Sequence, residues 1–517
     1  MVAPSLSLIV LNYNSKVHLE ANLPSLMALD YPADKLEIIV ADNASTDDSM
    51  AWVTANYPTV QQVHTGGNLG FAGGNNVAAA AASSDWVVFL NPDMRVTPNW
   101  LVELTRPIQQ DPTVACVASR ILSWDGKTID FGDAAMNFMG WGCQPGFGSH
   151  RLDEFDQEKP LLFACGGAML IKRSLFLELG GFDDDYFAYF EDVDLGWRLG
   201  LMGQPVVFAP QAIVYHRHHG SWENVADAKK WVLSERNTLF SVIKNYEDWA
   251  LTAVLPATLL LLAERAYLDV RPDHASLGLP EVNTTQETAV YNTRYYLSQL
   301  VTLLKQGNIR QLSRRIQDEI GRRFTSQPPA PSPQPLASQL PENGRFAVPA
   351  ITLSRLVAAN DVLRSWEQFQ AKRADLQAQR QQPDKAIFPL FQWELVSNFG
   401  DEAFIQAMNF VNGRFALANL FDTQQPAPNL SPETIALSQT VSQQILRHLA
   451  AAFNQSNIPE NLFRLGQPAP EPTLRIPAET VRAIAQLHNL LWTMPQMPLP
   501  ELLQWMYREF ERFAKET

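Results

Sequence analysis

The chain has little cysteine. Cys116, Cys143 and Cys165 are the only three in 517 residues, an odd count with no CxxC spacing. That argues against a disulfide framework and against a zinc site, and it fits reduced thiols in a cytoplasmic compartment. Cations are also short, with 40 Lys and Arg against 54 Asp and Glu and a formal net charge of -14. Tracking a phosphate backbone needs clustered Lys and Arg, so nucleic acid is not the expected partner. An acidic protein that binds a diphosphate needs local cationic help, and a divalent metal is the simplest source. No basic region precedes the first apolar stretch, as a secretory signal would require. The run ALTAVLPATLLLLA at residues 250–263 is interrupted by Pro256 and falls short of the roughly twenty residues that span a bilayer. It reads as a buried or domain-bridging helix, with a surface-lying membrane contact as the second reading. GxGxxG, GxxxxGK[ST] and HExxH are all missing. A Rossmann dinucleotide site, a P-loop ATPase and a protease-type zinc site therefore lose support. No internal repeat is visible.

What is present is an ordinary globular composition, 46% hydrophobic and 18% charged, with length for two or three domains. Residues 6–11 (LSLIVL), 36–41 (LEIIVA), 60–64 and 86–90 (WVVFL) read as strands. Helical stretches at about 16–29, from the capping sequence STDD at 45–48, and at 76–82 separate them. Strands alternating with helices predict a mostly parallel sheet in an α/β domain. Ligands of such sheets sit beyond the carboxyl ends of the strands. The pattern is mixed to about residue 221 and helical from 222 to about 323. Residues 325–349 are rich in Pro, Ser and Gln and read as a linker. Helical periodicity then returns, with Leu502, Leu503, Met506, Phe510 and Phe513 forming one apolar stripe. The Gln-rich stretch 368–382 reads as a solvated helix face.

Several short segments carry chemistry, and each has a bland reading beside it. Asp42 ends the second strand, where a carboxylate can accept the imide N–H of a uracil or thymine ring; it is equally a turn former. The loop GGNLGFAGGNN at 66–76 would let backbone approach a nucleotide closely, or is a plain flexible turn. Asn91-Pro92-Asp93 follows the fourth strand, where Asp93 can bind a cation that bridges two phosphates. Segment 180–199, GGFDDDYFAYFEDVDLGWRL, leads into a helix starting near Glu191. Asp192 falls in its first turn, where the helix dipole favours the ionised form that a general base needs. Glu191 and Asp194 can also simply cap that helix. His216 follows a short apolar strand at 212–215, and an imidazole there can add a metal ligand beside a carboxylate; His218 and His219 make a surface histidine cluster the plainer alternative.

Taken in order, these segments resemble the family 2 glycosyltransferases of the GT-A fold, and among them the bacterial rhamnosyltransferase-like enzymes. The resemblance covers about residues 5–221. It implies an inverting transfer of a sugar from a UDP- or dTDP-sugar donor to a hydroxyl of a glycan or lipid-linked acceptor in cell-surface polysaccharide synthesis, with Mg²⁺ or Mn²⁺ as cofactor. By resemblance, Tyr13 and Asp42 hold the base, while Gly70 and Asn76 line the nucleotide pocket. Asn91-Pro92-Asp93 stands in place of the DxD motif, with Asp93 and His216 on the metal. Gly166-Gly167 lies near the donor sugar, and Asp192 is the catalytic base with Glu191 as its neighbour. The implied organisation is a GT-A catalytic domain at 1–225, a helical extension at 226–324, the linker at 325–350 and a helical C-terminal domain at 351–517. The implied location is cytoplasmic, with room for peripheral contact at the inner face of the membrane. Two other classes compete: a non-catalytic nucleotide-sugar or carbohydrate-binding scaffold, and a sugar nucleotidyltransferase. The second is weakened by residues 11–16 (LNYNSK), which carry one lysine and no glycine for a triphosphate.

Overall fold

The computed structural model describes residues 3–217, 226–284 and 343–516. His218, His219 and most of the proline-rich stretch lie outside them. Its contacts divide the chain into two units, Met1–Glu247 with Gln368–Glu394, and Asp248–Glu367 with Leu395–Thr517.

The first unit is built on one large sheet. Strand β1 (Leu6–Asn12), helix α1 (Lys16–Met27), β2 (Leu36–Asp42), α2 (Ser49–Asn56), β3 (Gln61–His64), α3 (Gly70–Ala81) and β4 (Trp86–Leu90) follow the alternation expected from sequence. The helix read from the capping sequence starts at Ser49, later than expected. Then come β5 (Met94–Val96), α4 (Trp100–Gln110), β6 (Cys116–Ser123), β7 (Ile129–Phe131), the short pair β8 (Ala135–Met136) and β9 (Gly142–Cys143), and β10 (Lys159–Leu161). They are followed by β11 (Ala168–Lys172), α5 (Arg173–Glu178), α6 (Glu191–Leu201), β12 (Val206–His216) and α7 (Asp227–Asn245). The main sheet runs β10-β12-β6-β11-β4-β1-β2-β3. Strands β1 to β4 pair in parallel, and so do β6 and β12. β11 is antiparallel to both of its neighbours, so the sheet is mixed beyond β4, where a mostly parallel one was expected. The antiparallel insertion matters because it brings the loop before β11 to the same edge as the end of β4.

The glycine-rich loop also differs from its sequence reading. Helix α3 already begins at Gly70, and most of its glycines serve packing. A Cβ on Gly74 would stand 2.6 Å from the Leu11 side chain, and one on Gly70 would stand 2.3 Å from the Phe187 carbonyl oxygen. These positions let α3 lie tightly against β1 and against the segment that precedes α6.

Residues Gln368–Glu394 complete this unit from the far end of the sequence. Phe369 stacks on Phe240 of α7 at 3.6 Å. Lys372 bonds Asp183 and, at 2.5 Å, Asp185. Arg373 is buried and donates to the carbonyls of Ile243 and Tyr246, and Gln377 to that of Lys244. The expected solvated face is therefore largely engaged. Backbone carbonyls freed at the end of α7 need donors, and these side chains supply them.

The second unit contains helix α8 (Asp248–Val270), longer than its apolar run. Its length and mean hydropathy of 1.4 suffice to cross a membrane by composition only, and 89% of that window is buried, as in the core helix of a folded unit. Glu264 on this helix accepts from Trp492 and pairs with His488 at 2.8 Å. The end of the proline-rich stretch is ordered as a strand, Arg345–Pro349, antiparallel to Thr473–Pro477. The stripe Leu502, Leu503, Met506, Phe510 and Phe513 is buried along Leu499–Glu516.

The segment Gln368–Glu394 makes a stability prediction. Arg373→Leu removes the side-chain donor of the buried Ile243 carbonyl and leaves the Tyr246 carbonyl only Gln377, and it should destabilise by about 2 kcal/mol or more. Urea unfolding followed by tryptophan fluorescence checks this, and an unchanged midpoint would contradict the structural role of Arg373.

Candidate active site

The site lies at the carboxyl ends of β1, β2 and β4. Asn12 and Asp42 are register partners at the ends of β1 and β2. Tyr13 follows directly and is half-buried. The Asp42 carboxylate accepts the Ser45 N–H at 3.0 Å, and its other oxygen lies 3.4 Å from His64 Nδ1. One face of the carboxylate is thus fixed while the side chain stays partly open, at 13% exposure.

Asn91, Pro92 and Asp93 turn the chain from β4 into β5. The turn is tied down from two sides: the Asn91 N–H donates to the Gly167 carbonyl at 2.9 Å, and the Asn91 carbonyl accepts from Met94 N–H. A Cβ on Gly167 would stand 2.9 Å from the Asn91 side-chain nitrogen and from the Met94 methyl, so glycine here lets the turn sit close. One residue earlier, the Gly166 N–H donates to the Asp192 carboxylate at 2.9 Å, and the second Asp192 oxygen accepts the Val193 N–H at 2.8 Å. Gly166-Gly167 therefore joins the Asn91–Asp93 turn to the first turn of α6 through successive backbone groups.

The two adjacent acids at the start of α6 differ. Asp192 is half-buried, and burial raises its carboxyl above the usual range, with the Gly166 and Val193 N–H groups pulling the other way. Glu191 is buried, and its Oε2 has no hydrogen-bond partner. Burial and the Asp192 charge push its carboxyl well up. Of the pair, Asp192 keeps the charge because it holds the N–H donors, and Glu191 is held neutral.

Asp93 and His216 meet as the sequence order suggested. His216 ends β12 beside Met94, and its Nε2 lies 3.2 Å from the Asp93 carboxylate. Its Nδ1 contacts Asp130 of β7 at 2.5 Å. Burial works against the imidazolium, but the Asp130 and Asp93 carboxylates win and lift its pKa to about 9. Burial also works against the Asp93 carboxylate, and His216 draws it below the usual range. A carboxylate beside an imidazole nitrogen, with a second carboxylate orienting the ring from behind, is a donor set that suits a divalent cation. Among the described residues no group of three or more His, Cys, Asp or Glu side chains could hold a metal, so this pair would need ligand oxygens to complete a coordination shell.

Two expected site residues have different work. The Asn76 amide donates to the Phe182 carbonyl and to Asp184, both at 2.7 Å, and its oxygen accepts the Phe182 N–H. With these polar atoms engaged, Asn76 struts the segment before α6. Gly70 makes room for Phe187 of the same segment. That segment is strained, since Phe187, Tyr189 and Phe190 have φ of 62°, 72° and 65°. Asn237 of α7, fully buried, holds it by donating to the carbonyls of Tyr186, Ala188 and Tyr189. Asp194 anchors α6 itself through Arg198 at 2.7 Å and Lys244 at 3.0 Å. Sequence reasoning missed Asp130 and Asn237. An acid between Ile129 and Phe131 in a short apolar strand was a usable signal for the first; nothing local marks the second.

Residues 7–180 match the family model described as Glycosyl transferase family 2. The N-acetylglucosaminyl-diphospho-decaprenol L-rhamnosyltransferase of Mycobacterium tuberculosis is 28% identical over 290 residues, covering 52% of this chain and 93% of that enzyme. The rhamnosyltransferase WbbL of Escherichia coli is 24% identical, covering 44% of this chain and 89% of its own length. Among solved structures, GalNAc-T7 with UDP, GalNAc and Mn²⁺ superposes at a TM-score of 0.41 and 16% identity, over 50% of this chain and 51% of that one.

Glu191 gives a pH prediction. A carboxyl whose pKa is raised on folding contributes stability that is present below its unfolded value, near 4.5, and lost as pH climbs through the raised folded value. Glu191→Gln copies the neutral form. The variant should gain stability relative to wild type as pH rises above 4.5. Urea midpoints measured across that range check it; parallel curves for the two proteins would show that Glu191 is not held neutral.

Proposed function

We propose that this chain, a glycosyltransferase whose residues 7–180 form a family 2 domain of the GT-A fold, transfers a hexose from a UDP- or dTDP-sugar to a hydroxyl of a lipid-linked or polysaccharide acceptor with inversion at the anomeric carbon. A rhamnose-like donor is favoured by the names of the two relatives above. The observation that supports the reading is the Gly166-Gly167 bridge, which holds the Asn91–Asp93 turn and the Asp192 carboxylate at one strand edge.

In this reading Tyr13 and Asp42 hold the base of the donor, with the open Asp42 oxygen accepting its imide N–H. Asn91 and Gly167 border the diphosphate and the donor sugar. Asp93 and His216 would hold Mg²⁺ or Mn²⁺, which would supply positive charge to offset that of the departing nucleotide. Asp192 takes the proton of the acceptor hydroxyl as that oxygen attacks the anomeric carbon from the face opposite the nucleotide. Its two N–H contacts fix the carboxylate's orientation, and its raised pKa makes it a better proton acceptor than an exposed aspartate. One displacement needs no carboxylate nucleophile, which accords with a neutral, buried Glu191. The enzyme works at the cytoplasmic side, where a lipid-linked acceptor would meet a soluble donor.

Asp192→Asn should lower kcat by about 10² or more while donor binding is kept. Turnover close to wild type would remove Asp192 from the base role. Asp93→Ala should abolish the Mn²⁺ dependence of UDP binding in calorimetric titration, and an unaltered titration would refute the cation assignment. The reading as a whole is tested by incubating the protein with a panel of nucleotide sugars and acceptors and reading the product anomer by NMR. A retained anomer, or UDP binding with no turnover on any acceptor, would overturn it.

A further inference from the structure

On β5 and at the end of β12, two arginines crowd one tryptophan. The Arg95 guanidinium lies 4.8 Å from the Trp124 ring centre and 4.1 Å from that of Tyr215. The Arg217 guanidinium lies 4.7 Å from the same Trp124 ring. Neither arginine forms an ion pair among the described residues, although the chain carries a net charge of -14. The neighbouring acid, Asp125, is committed to Ser123 at 2.8 Å and Lys127 at 3.1 Å. Two like charges held against one ring repel each other, and an anion that both contact would offset that cost. Stacking uses the face of a guanidinium and leaves its in-plane N–H groups for bidentate contact with phosphate oxygens. Arg95 gives one such group to the Trp124 carbonyl at 3.1 Å, and no side-chain hydrogen bond occupies Arg217 among the described residues.

The position of the pair matters. The Arg217 N–H donates to the Asp93 carbonyl at 3.1 Å, so the pair borders the turn that carries Asp93. Tyr215 and Arg217 alternate with His216 along the strand, and Tyr215 faces Arg95 in register. Successive side chains of a strand point to opposite faces. The arginines thus stand on the other side of β12 from His216 and its two carboxylates, and a diphosphate held beside His216 would not be the one they meet.

We infer that Arg95, Arg217 and Trp124 form a second diphosphate site, distinct from that of the nucleotide donor, which takes the diphosphate of a lipid-linked acceptor. The inference rests on the transferase reading for the acceptor's class, but binding at this site can be measured without turnover. The test titrates full-length protein, saturated with UDP and Mn²⁺, with geranyl diphosphate as a water-soluble probe. Wild type should bind it, with affinity falling as salt rises. The double variant Arg95→Gln, Arg217→Gln should bind it at least tenfold more weakly while its affinity for UDP stays within about twofold. Arg217→Gln alone, which breaks no hydrogen bond of the side chain, guards against a folding defect and should lose about half of that effect on the logarithmic scale. Three results would overturn the inference: no binding of the probe by wild type, equal binding by the variants, or a loss of UDP affinity matching the loss of probe affinity, which would make the arginines part of the donor site. Failure of the transferase reading shows separately, as absent turnover by wild type.

Discussion

The contact on which the site depends is a single backbone N–H, that of Gly166, donated to the Asp192 carboxylate. Its neighbour Gly167 accepts from Asn91, so two consecutive peptide units set the spacing between the turn after β4 and the helix that starts at Glu191. A Cβ at either glycine would crowd its neighbours: on Gly166 it would stand 3.2 Å from Asp192 of α6 and from Phe71 of α3. The antiparallel course of β11 is what brings this pair to the end of β4. A purely parallel sheet would carry the same residues to the opposite edge.

Three acids lie within one turn at the start of α6, and their surroundings separate them. Asp194 is fully buried but surrounded by Arg198, Lys244, Tyr186 and Asn245, which hold it ionised below the usual range despite burial. Taking these charges out of water is expensive, and such a network is better understood as fixing orientation than as adding stability. Its chain of contacts continues from Lys244 to Asp183 and on to Lys372, a residue almost two hundred positions further along. The angle of α6, and with it the aim of Asp192, is thus set in part by sequence outside the matched domain. Glu191 has none of these partners and is the one acid that the fold discharges.

Most of the β1–β4 half of the sheet was legible in the sequence because β1, β2 and β4 are largely apolar runs followed by an acid or asparagine, and the pairing of Asp93 with His216 was implied by the resemblance. What was not legible depended on long-range contacts. The 66–76 loop looks like a flexible turn, yet from Gly70 on it is helix, since close packing on β1 and on Phe187 decides its conformation. Asn76, the last residue of that stretch, is expected at the nucleotide pocket by resemblance alone, while the partners its side chain bonds, Phe182 and Asp184, lie over a hundred residues away. The 368–382 stretch is polar enough to be solvated, and only the carbonyls of α7 reveal why it is not. Local pattern reports burial well and reports who satisfies a polar atom poorly.

The strained segment before α6 follows the same logic. Left-handed conformations at Phe187, Tyr189 and Phe190 are costly for aromatic residues and persist only where the surroundings over-determine them. Asn76 holds one end of the segment, Asn237 gathers three of its carbonyls, and Arg236 adds the carbonyls of Asp185 and Tyr186 at 2.8 and 3.1 Å. Trp141 packs against Phe190 at 5.2 Å, and Gly142 beside it leaves room for Val193. Glycine at these positions would adopt the same turn without that cost. With aromatics there, the conformation is held by contacts drawn from α3, from α7 and, through Lys372 on Asp183 and Asp185, from residues 368–394.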